Sequence, residues 1–368
     1  MTRSRETFDE RRDDGDVACD RPASSEVPCA NRSRFLDKFG VPEQAYSVID
    51  KIVTSAEQKL VAALADEVFS VEDVGRVLTC PFSLSELSLM SLEGIEPFDE
   101  KEAQRFADAA YGRGVISVAE ESAAESGARR YRIASFCERL DVFAVAEQDA
   151  WLDLPQDVRI ALDDWYFDVY YAGLDWDGAG GKPTDETILT LEETLARIDD
   201  NYEKGRQVYL TDCDCRSLRG GCNGPTLVCL SYRDGPNSYP DRGISKPITH
   251  REARAAVIAA DRAALVHTAN PNGICNCCGD CCYLFRARAR RGSGVTWPES
   301  RHIVVFDAER CIGCGICLGR CGFGVFDGTD FSTGHAFANV ALCVGCGVCV
   351  GTCPSDALTL APRSRDAV

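Results

Sequence analysis

The sequence predicts an α+β multidomain chain. It has a helical N-terminal domain with a small hairpin, a mixed cysteine-rich central region, and a compact C-terminal domain built on an internal repeat. Three observations predict this. Apolar residues recur at helical spacing through the N-terminal part. The 21 cysteines among 368 residues are clustered, with nine between Cys213 and Cys282, eight between Cys311 and Cys353, and only Cys19, Cys29, Cys80 and Cys137 scattered elsewhere. Finally, CIGCGICLGRC (311–321) is repeated as CVGCGVCVGTC (343–353), offset by 32 residues.

Composition bounds the function. A 45% hydrophobic and 27% charged chain can build ordinary cores. No run of about 18 apolar residues exists, so no membrane span is expected. The first 26 residues lack an apolar stretch of signal-peptide type, so a cytoplasmic location is expected. Cytosolic thiols stay reduced, and dense cysteines there read as metal or redox chemistry before disulfides. The net charge of −18 repels nucleic acid and anionic membranes and favours a partner with a basic face.

Residues 1–33 are charged, poor in apolar side chains, and read as a disordered tail, with no role for Cys19 or Cys29. Residues 34–145 read as a compact domain. YSVIDKIVTSAEQKLVAAL, SVEDVGRVL (capped by Ser70) and DEKEAQRFADAAYGRG (capped by Asp99) are predicted helices. GVISVAEES and RRYRIASF are strand-like and flank the turn-rich AAESGA. Helices followed by a helix and hairpin form a winged-helix-like pattern, whose familiar use is DNA binding. Here 12 Lys and Arg face 20 Asp and Glu over residues 34–145, and such a surface repels phosphate. A packing module is therefore expected rather than a DNA reader. Cys80 and Cys137 read as small buried hydrophobes.

Residues 146–285 form the helical, cysteine-rich central region. IALDDWYFDVYYAGL and DETILTLEETLARIDDNYEK are predicted helices. GAGGKPT between them lacks the spacing of a phosphate loop, and no GxGxxG is present. His267 is expected to end the helix HREARAAVIAADRAALVH, favouring its C-terminal dipole, with metal ligation as the alternative. Residues 286–301, beginning RARARRGSG, read as a basic solvated linker, or as a guide for an acidic redox partner. Residues 302–361 are the repeat domain, and 362–368 a short tail.

The repeat is C-x2-C-x2-C-x3-C twice, the spacing that presents soft thiolates to cubane iron. Gly313, Gly315, Gly345 and Gly347 permit positive φ and aim N–H groups at sulfur. Ile312, Ile316, Val344 and Val348 are expected to shield the clusters from water. Residues 302–360 thus resemble a 2[4Fe–4S] dicluster ferredoxin domain. The resemblance implies crossed ligation: one cluster on Cys311, Cys314, Cys317 and Cys353, the other on Cys343, Cys346, Cys349 and Cys321. It also implies that HIVVFDAERC and DALTLAP pair as first and last strands. One departure is visible: Gly322 follows Cys321 where the family usually has proline.

The central cysteines are Cys213, Cys215, Cys222 and Cys229 in TDCDCRSLRGGCNGPTLVC, and Cys275, Cys277, Cys278, Cys281 and Cys282 in GICNCCGDCC. Neighbouring thiols diverge, so adjacent pairs strain a single tetrahedral zinc site. They suit two ligand sets facing different metals, or one set plus a spare thiol. One or two additional iron–sulfur clusters are the favoured reading, ahead of zinc and of metal-free reactive thiols. The whole chain is also similar to bacterial and archaeal 4Fe–4S-binding, ferredoxin-like proteins that combine these parts, which implies iron–sulfur binding and electron transfer but no particular reaction. The expected function is electron transfer for an oxidoreductase partner. The alternatives are a redox-sensing regulator using the winged helix, and a reductase with its active site among the central cysteines.

Overall fold

The computed structural model describes residues 29–79, 99–119, 129–174, 184–292, 297–330 and 335–363. The tail as far as residue 28, Cys19, Cys80, the AAESGA turn, most of GAGGKPT and the last five residues lie outside this set. The chain is α+β. Helix α1 (Cys29–Phe39) begins inside the segment read as a tail. Short α2 (Ile49–Ile52) and α3 (Ser55–Leu64) replace the single long helix expected there. Thr54 interrupts it, because its side chain caps α3 and Glu57 reciprocates in a capping box. Helix α4 (Val71–Thr79) starts at Ser70, whose Oγ accepts the Asp73 N–H, and α5 (Glu100–Gly112) starts at Asp99. Strands β1 (Ile116–Val118) and β2 (Tyr131–Ile133) form the antiparallel hairpin. Helices α6 (Phe136–Ala146), α7 (Gln148–Leu152) and α8 (Gln156–Ala172) follow.

Arg139 on α6 is fully buried and braces this part. Its guanidinium donates to the carbonyls of Ile52 (2.6 and 2.9 Å) and Arg113 (2.9 Å), and pairs with Glu147 at 2.7 Å. The hairpin is not a free wing. Asn237 bonds both the N–H (2.7 Å) and the carbonyl (2.9 Å) of Val118, and Arg242 reaches Ile116 O and Ser117 Oγ. Tyr111, at the end of α5, bonds Asp241 and accepts the Asn237 N–H.

The central region contains a sheet that the sequence reading missed. Its strands are β3 (Thr187–Leu189), β4 (Val208–Asp212), β5 (Leu227–Ser231), β6 (Lys246–Ile248), β7 (Val266–Asn270), β8 (Gly273–Cys277) and β9 (Glu299–Ser300). They lie in the order β6-β4-β5-β8-β7-β3-β9, antiparallel except for the parallel β3–β9 pair. DETILTLEE is therefore strand β3 followed by α9 (Leu191–Glu203), capped by Thr190. Together, α9 and α11 (His250–Arg262) pack on one face around Leu189, Ile198, Leu230, Val257 and Ile274. Alternation along a strand sends Cys229, Cys275 and Cys277 to the opposite face. Helix α10 (Asp214–Arg219) lies between β4 and β5.

Helix α11 stops at Arg262, and Ala264 turns with φ +62°, so His267 lies inside β7, not at a helix end. The basic run read as a linker begins as helix α12 (Tyr283–Arg291). Its Arg286 binds Asp163 (2.9 Å) and Arg290 pairs with Asp168 on α8, so these charges serve internal docking rather than an outside partner.

Strand β10 (His302–Phe306) follows β9 after one residue and pairs antiparallel with β13 (Leu358–Pro362). Helix α13 (Ile316–Arg320) and strands β11 (Phe326–Asp330) and β12 (His335–Ala338) complete the C-terminal part. One core runs from Phe35, Phe136 and Trp151 through Cys277, Cys282 and Tyr283 to Val344 and Val348. Among the described residues, no helix is long and apolar enough to cross a membrane.

Candidate metal centres

In the C-terminal part each half-repeat is a loop that bends around its own sulfurs. Gly313 N–H donates to Cys311 Sγ (3.4 Å), and Gly345 N–H to Cys343 Sγ (3.3 Å). Gly345 has φ +72°, and an added Cβ would sit 2.1 Å from His302 O, so no other residue fits this turn. The loops leave two cavities. Cys311, Cys314, Cys317 and Cys353 line one, with Phe306, Ile312 and Ile316. Cys321, Cys343, Cys346 and Cys349 line the second, with Val304, Phe323 and Val344. Cys349 also reaches the first, so the cavities adjoin.

These residues fit soft, thiolate-bound iron. Burial, with Cys343 and Cys321 beside it, pushes the Cys346 thiol up to about 12, so it would stay protonated without a metal. Shielding is uneven. Val344 and Val348 are buried as expected, but Ile312 is 65% and Ile316 44% exposed, and Cys314 is exposed too. The first cavity has the more exposed lining and the second the more buried one.

The nine central cysteines divide into a six and a three. Cys213, Cys215, Cys282, Cys277, Cys275 and Cys229 gather as a ring of neighbours, each thiol near enough to two others to shift their proton affinity. Distinct elements bring them together. Cys275 and Cys277 share one face of β8, Cys229 comes from β5, Cys213 immediately precedes α10, Cys215 lies in its first turn, and Cys282 immediately precedes α12. Contacts with Cys229 and Cys277 pull the Cys275 thiol down to about 6. Contacts with Cys215 and Cys277, aided by the N–H groups of α12, hold Cys282 well below its ordinary value. The other four are pushed up. The second set is Cys222, Cys278 and Cys281, with sulfurs all within 4.8 Å of one another. Each adjacent pair is thus split: Cys277 and Cys282 turn to the ring, Cys278 and Cys281 to the triad.

Several neighbours of the ring carried no signal in the sequence. Tyr166, Phe167 and Tyr170 of α8 stack around Tyr283, at centroid distances of 5.4–5.8 Å, and close one side against water. Asp214 lies beside Cys213, and removal from water pushes its carboxyl up to about 6. Asp141 accepts from Tyr239 Oη at 2.5 Å and is pushed up to about 8 by the same cause, with Asp214 adding to it. Arg216, 2% exposed, lies near both thiol sets, and Cys213, Cys278 and Cys222 favour its charged form. His267 is fully buried and takes no part. Its Nδ1 lies 2.6 Å from Asn276 Oδ1, and their pairing across β7 and β8 puts both on the face away from the cysteines. Cys137 stands apart as a half-buried thiol, pushed up to about 11 by burial.

The two regions meet at a close backbone crossing. Gly279, in the triad turn, packs on Gly322, which follows Cys321. A Cβ at 279 would lie 2.1 Å from Gly322 O. Phe285 and Phe323 meet edge-on beside it at 4.8 Å. The glycine that departs from the family pattern is thus a docking point.

Residues 310–358 match the family described as a 4Fe-4S dicluster domain. No curated protein and no solved structure matches the chain. The C-terminal part is an iron–sulfur, ferredoxin-type domain, and the chain carries an iron–sulfur electron-transfer role.

Proposed function

We propose that the chain is a multi-centre electron conduit serving an oxidoreductase. The observation that carries this is the run of adjoining thiol sites: a cavity with an exposed lining, a second with a more buried lining that shares Cys349, and beyond the Gly279–Gly322 crossing the nine central cysteines. Cubane iron–sulfur clusters supply one-electron transfer when bound. Cys311, Cys314, Cys317 and Cys353 would hold the outer one, and Cys343, Cys346, Cys349 and Cys321 the inner one. The ring of six would take a further iron–sulfur centre.

The protein's own residues set the direction. Exposed Ile312, Ile316 and Cys314 make the outer site the place where a partner exchanges electrons. Buried Val344 and Val348, with Phe323, keep water from the inner site. The acidic chain favours a partner with a basic docking face. The N-terminal helices and hairpin act as a winged-helix-like packing module, since residues 237–242 occupy the hairpin edge. A cytoplasmic setting suits so many reduced thiols.

Cys314→Ser tests the reading. In anaerobically purified protein, it should remove one reduced-state EPR signal and leave the far-UV spectrum of the N-terminal fold intact. Identical reduced spectra in variant and wild type would refute the outer ligand set.

A further inference from the structure

We propose that Cys222, Cys278 and Cys281 form a separate site for a single zinc ion, held by three thiolates with its fourth position open. This goes beyond the electron-transfer reading and does not depend on what the ring of six holds.

Spacing is the first argument. Cys222 Sγ and Cys278 Sγ are 3.7 Å apart, and all three sulfurs lie within 4.8 Å of one another. Zinc–sulfur bonds of about 2.3 Å in a tetrahedron give a sulfur–sulfur edge of about 3.8 Å. Ligands of a cubane sit on different irons and stand farther apart. The second argument is the turn. Cys281 N–H donates to Cys278 Sγ at 3.2 Å, so the turn Cys278–Cys281 brings both thiols to one side and supports a charged sulfur.

Charge is the third. Arg216 is 2% exposed, and its Nη atoms are fixed by Pro225 O (2.6 Å) and Asn276 O (3.0 Å). Its Nε has no hydrogen-bond partner, and the nearby thiols of Cys213, Cys278 and Cys222 favour its charged form. A buried cation in this position calls for thiolate. Three thiolates are neutralised by one divalent ion together with Arg216. Among the described residues no fourth His, Cys, Asp or Glu joins the group. Cys222 and Cys278 are only half-buried, so water or a small thiol can reach the remaining position.

The test uses the full chain, grown with both iron and zinc and purified without oxygen. Metal and sulfide are counted in wild type, Cys278→Ser and Cys281→Ser, with Cys222→Ser on a separate loop as a further variant. The expected result is one zinc per chain in wild type, absent from each variant, with iron and sulfide unchanged. Cobalt(II) put in place of zinc should give tetrahedral thiolate absorption bands that the variants lack. Wild type without zinc and without such bands would overturn the proposal. So would variants that keep zinc, or that lose four irons and four sulfides together, which would make the triad part of a cubane. The reduced EPR spectrum of the ferredoxin-type domain checks that each variant folds. Iron missing from the wild type would count against the electron-transfer reading and leave the zinc count readable.

Discussion

Replacing Gly279 by alanine puts one methyl group into the tightest crossing between the two cysteine-rich regions. The new Cβ would meet Gly322 O at 2.1 Å and Gly322 C at 2.9 Å, whereas ordinary contacts lie beyond 3.4 Å. Neither neighbour is a side chain that can swing aside, so the two backbones must part by roughly 1 Å. Overpacking of this kind costs about 1–3 kcal/mol. For a unit of this size, that lowers the melting temperature by about 3–9 °C. Gly319→Ala is the matched control, because nothing lies within 4 Å of its added Cβ and the position is inside helix α13. That change should be neutral or slightly stabilising, by about 0.5–1 kcal/mol. Thermal unfolding followed by circular dichroism reads both variants. If the central cysteines hold a cluster as proposed, EPR of the reduced protein should show its coupling to the inner centre weakened in Gly279→Ala alone. If the two alanine variants melt within a degree of each other, the crossing is not a rigid contact and the reasoning fails.

Other consequences can be checked alongside. Arg139→Met should destabilise the N-terminal part by about 3–5 kcal/mol in denaturant titrations, because Glu147 and the carbonyls of Ile52 and Arg113 lose a buried partner. Glu193 is held below its ordinary 4.5: burial opposes this, but the Thr190 N–H and His302 bonds outweigh it. The unfolded chain therefore takes up that proton first, and stability falls as pH drops from about 4.5 through the lower folded-state value. Glu193→Gln should show a shallower loss in acid melts between pH 5 and 3. Arg320→Ala should loosen the ferredoxin-type domain, seen as faster amide exchange in β10 and β13, because Arg320 donates to the Asp261 (2.9 Å) and Arg262 (2.7 Å) carbonyls. Gel-shift assays at low salt should detect no DNA binding, since residues 237–242 cover the hairpin edge.

In the C-terminal part, two-residue spacings made it legible which three thiols of each repeat share a loop, whereas the crossed places of Cys321 and Cys353 came from the resemblance to dicluster ferredoxins and not from spacing. The central nine were legible as chemistry but not as geometry. Whether Cys229 meets Cys275 depends on the pairing of β5 with β8, and these strands are too short and too rich in cysteine and polar residues to betray their alternation. Strand β3 hid ahead of a strong helix in the same apolar run. Helix α11 ends without glycine or proline, at an alanine with positive φ, so the pattern ran on and misplaced His267. The arginines of α12 looked like linker composition. Their meaning required the acidic face of α8, more than 100 residues earlier, to be set beside them.

Strand β9 belongs to the central sheet and β10 to the ferredoxin-type domain, and only Arg301 separates them. Ser300 Oγ donates to Val344 O at 2.8 Å and ties the joint down further. A tether of one residue leaves no arc through which the terminal domain could swing. Many redox carriers ferry charge by moving a loosely leashed head between two docking stations. On the proposed reading the joint would fix the electron path in place, making the protein a wire rather than a shuttle, and turnover should then depend on how fast partners come and go at its ends.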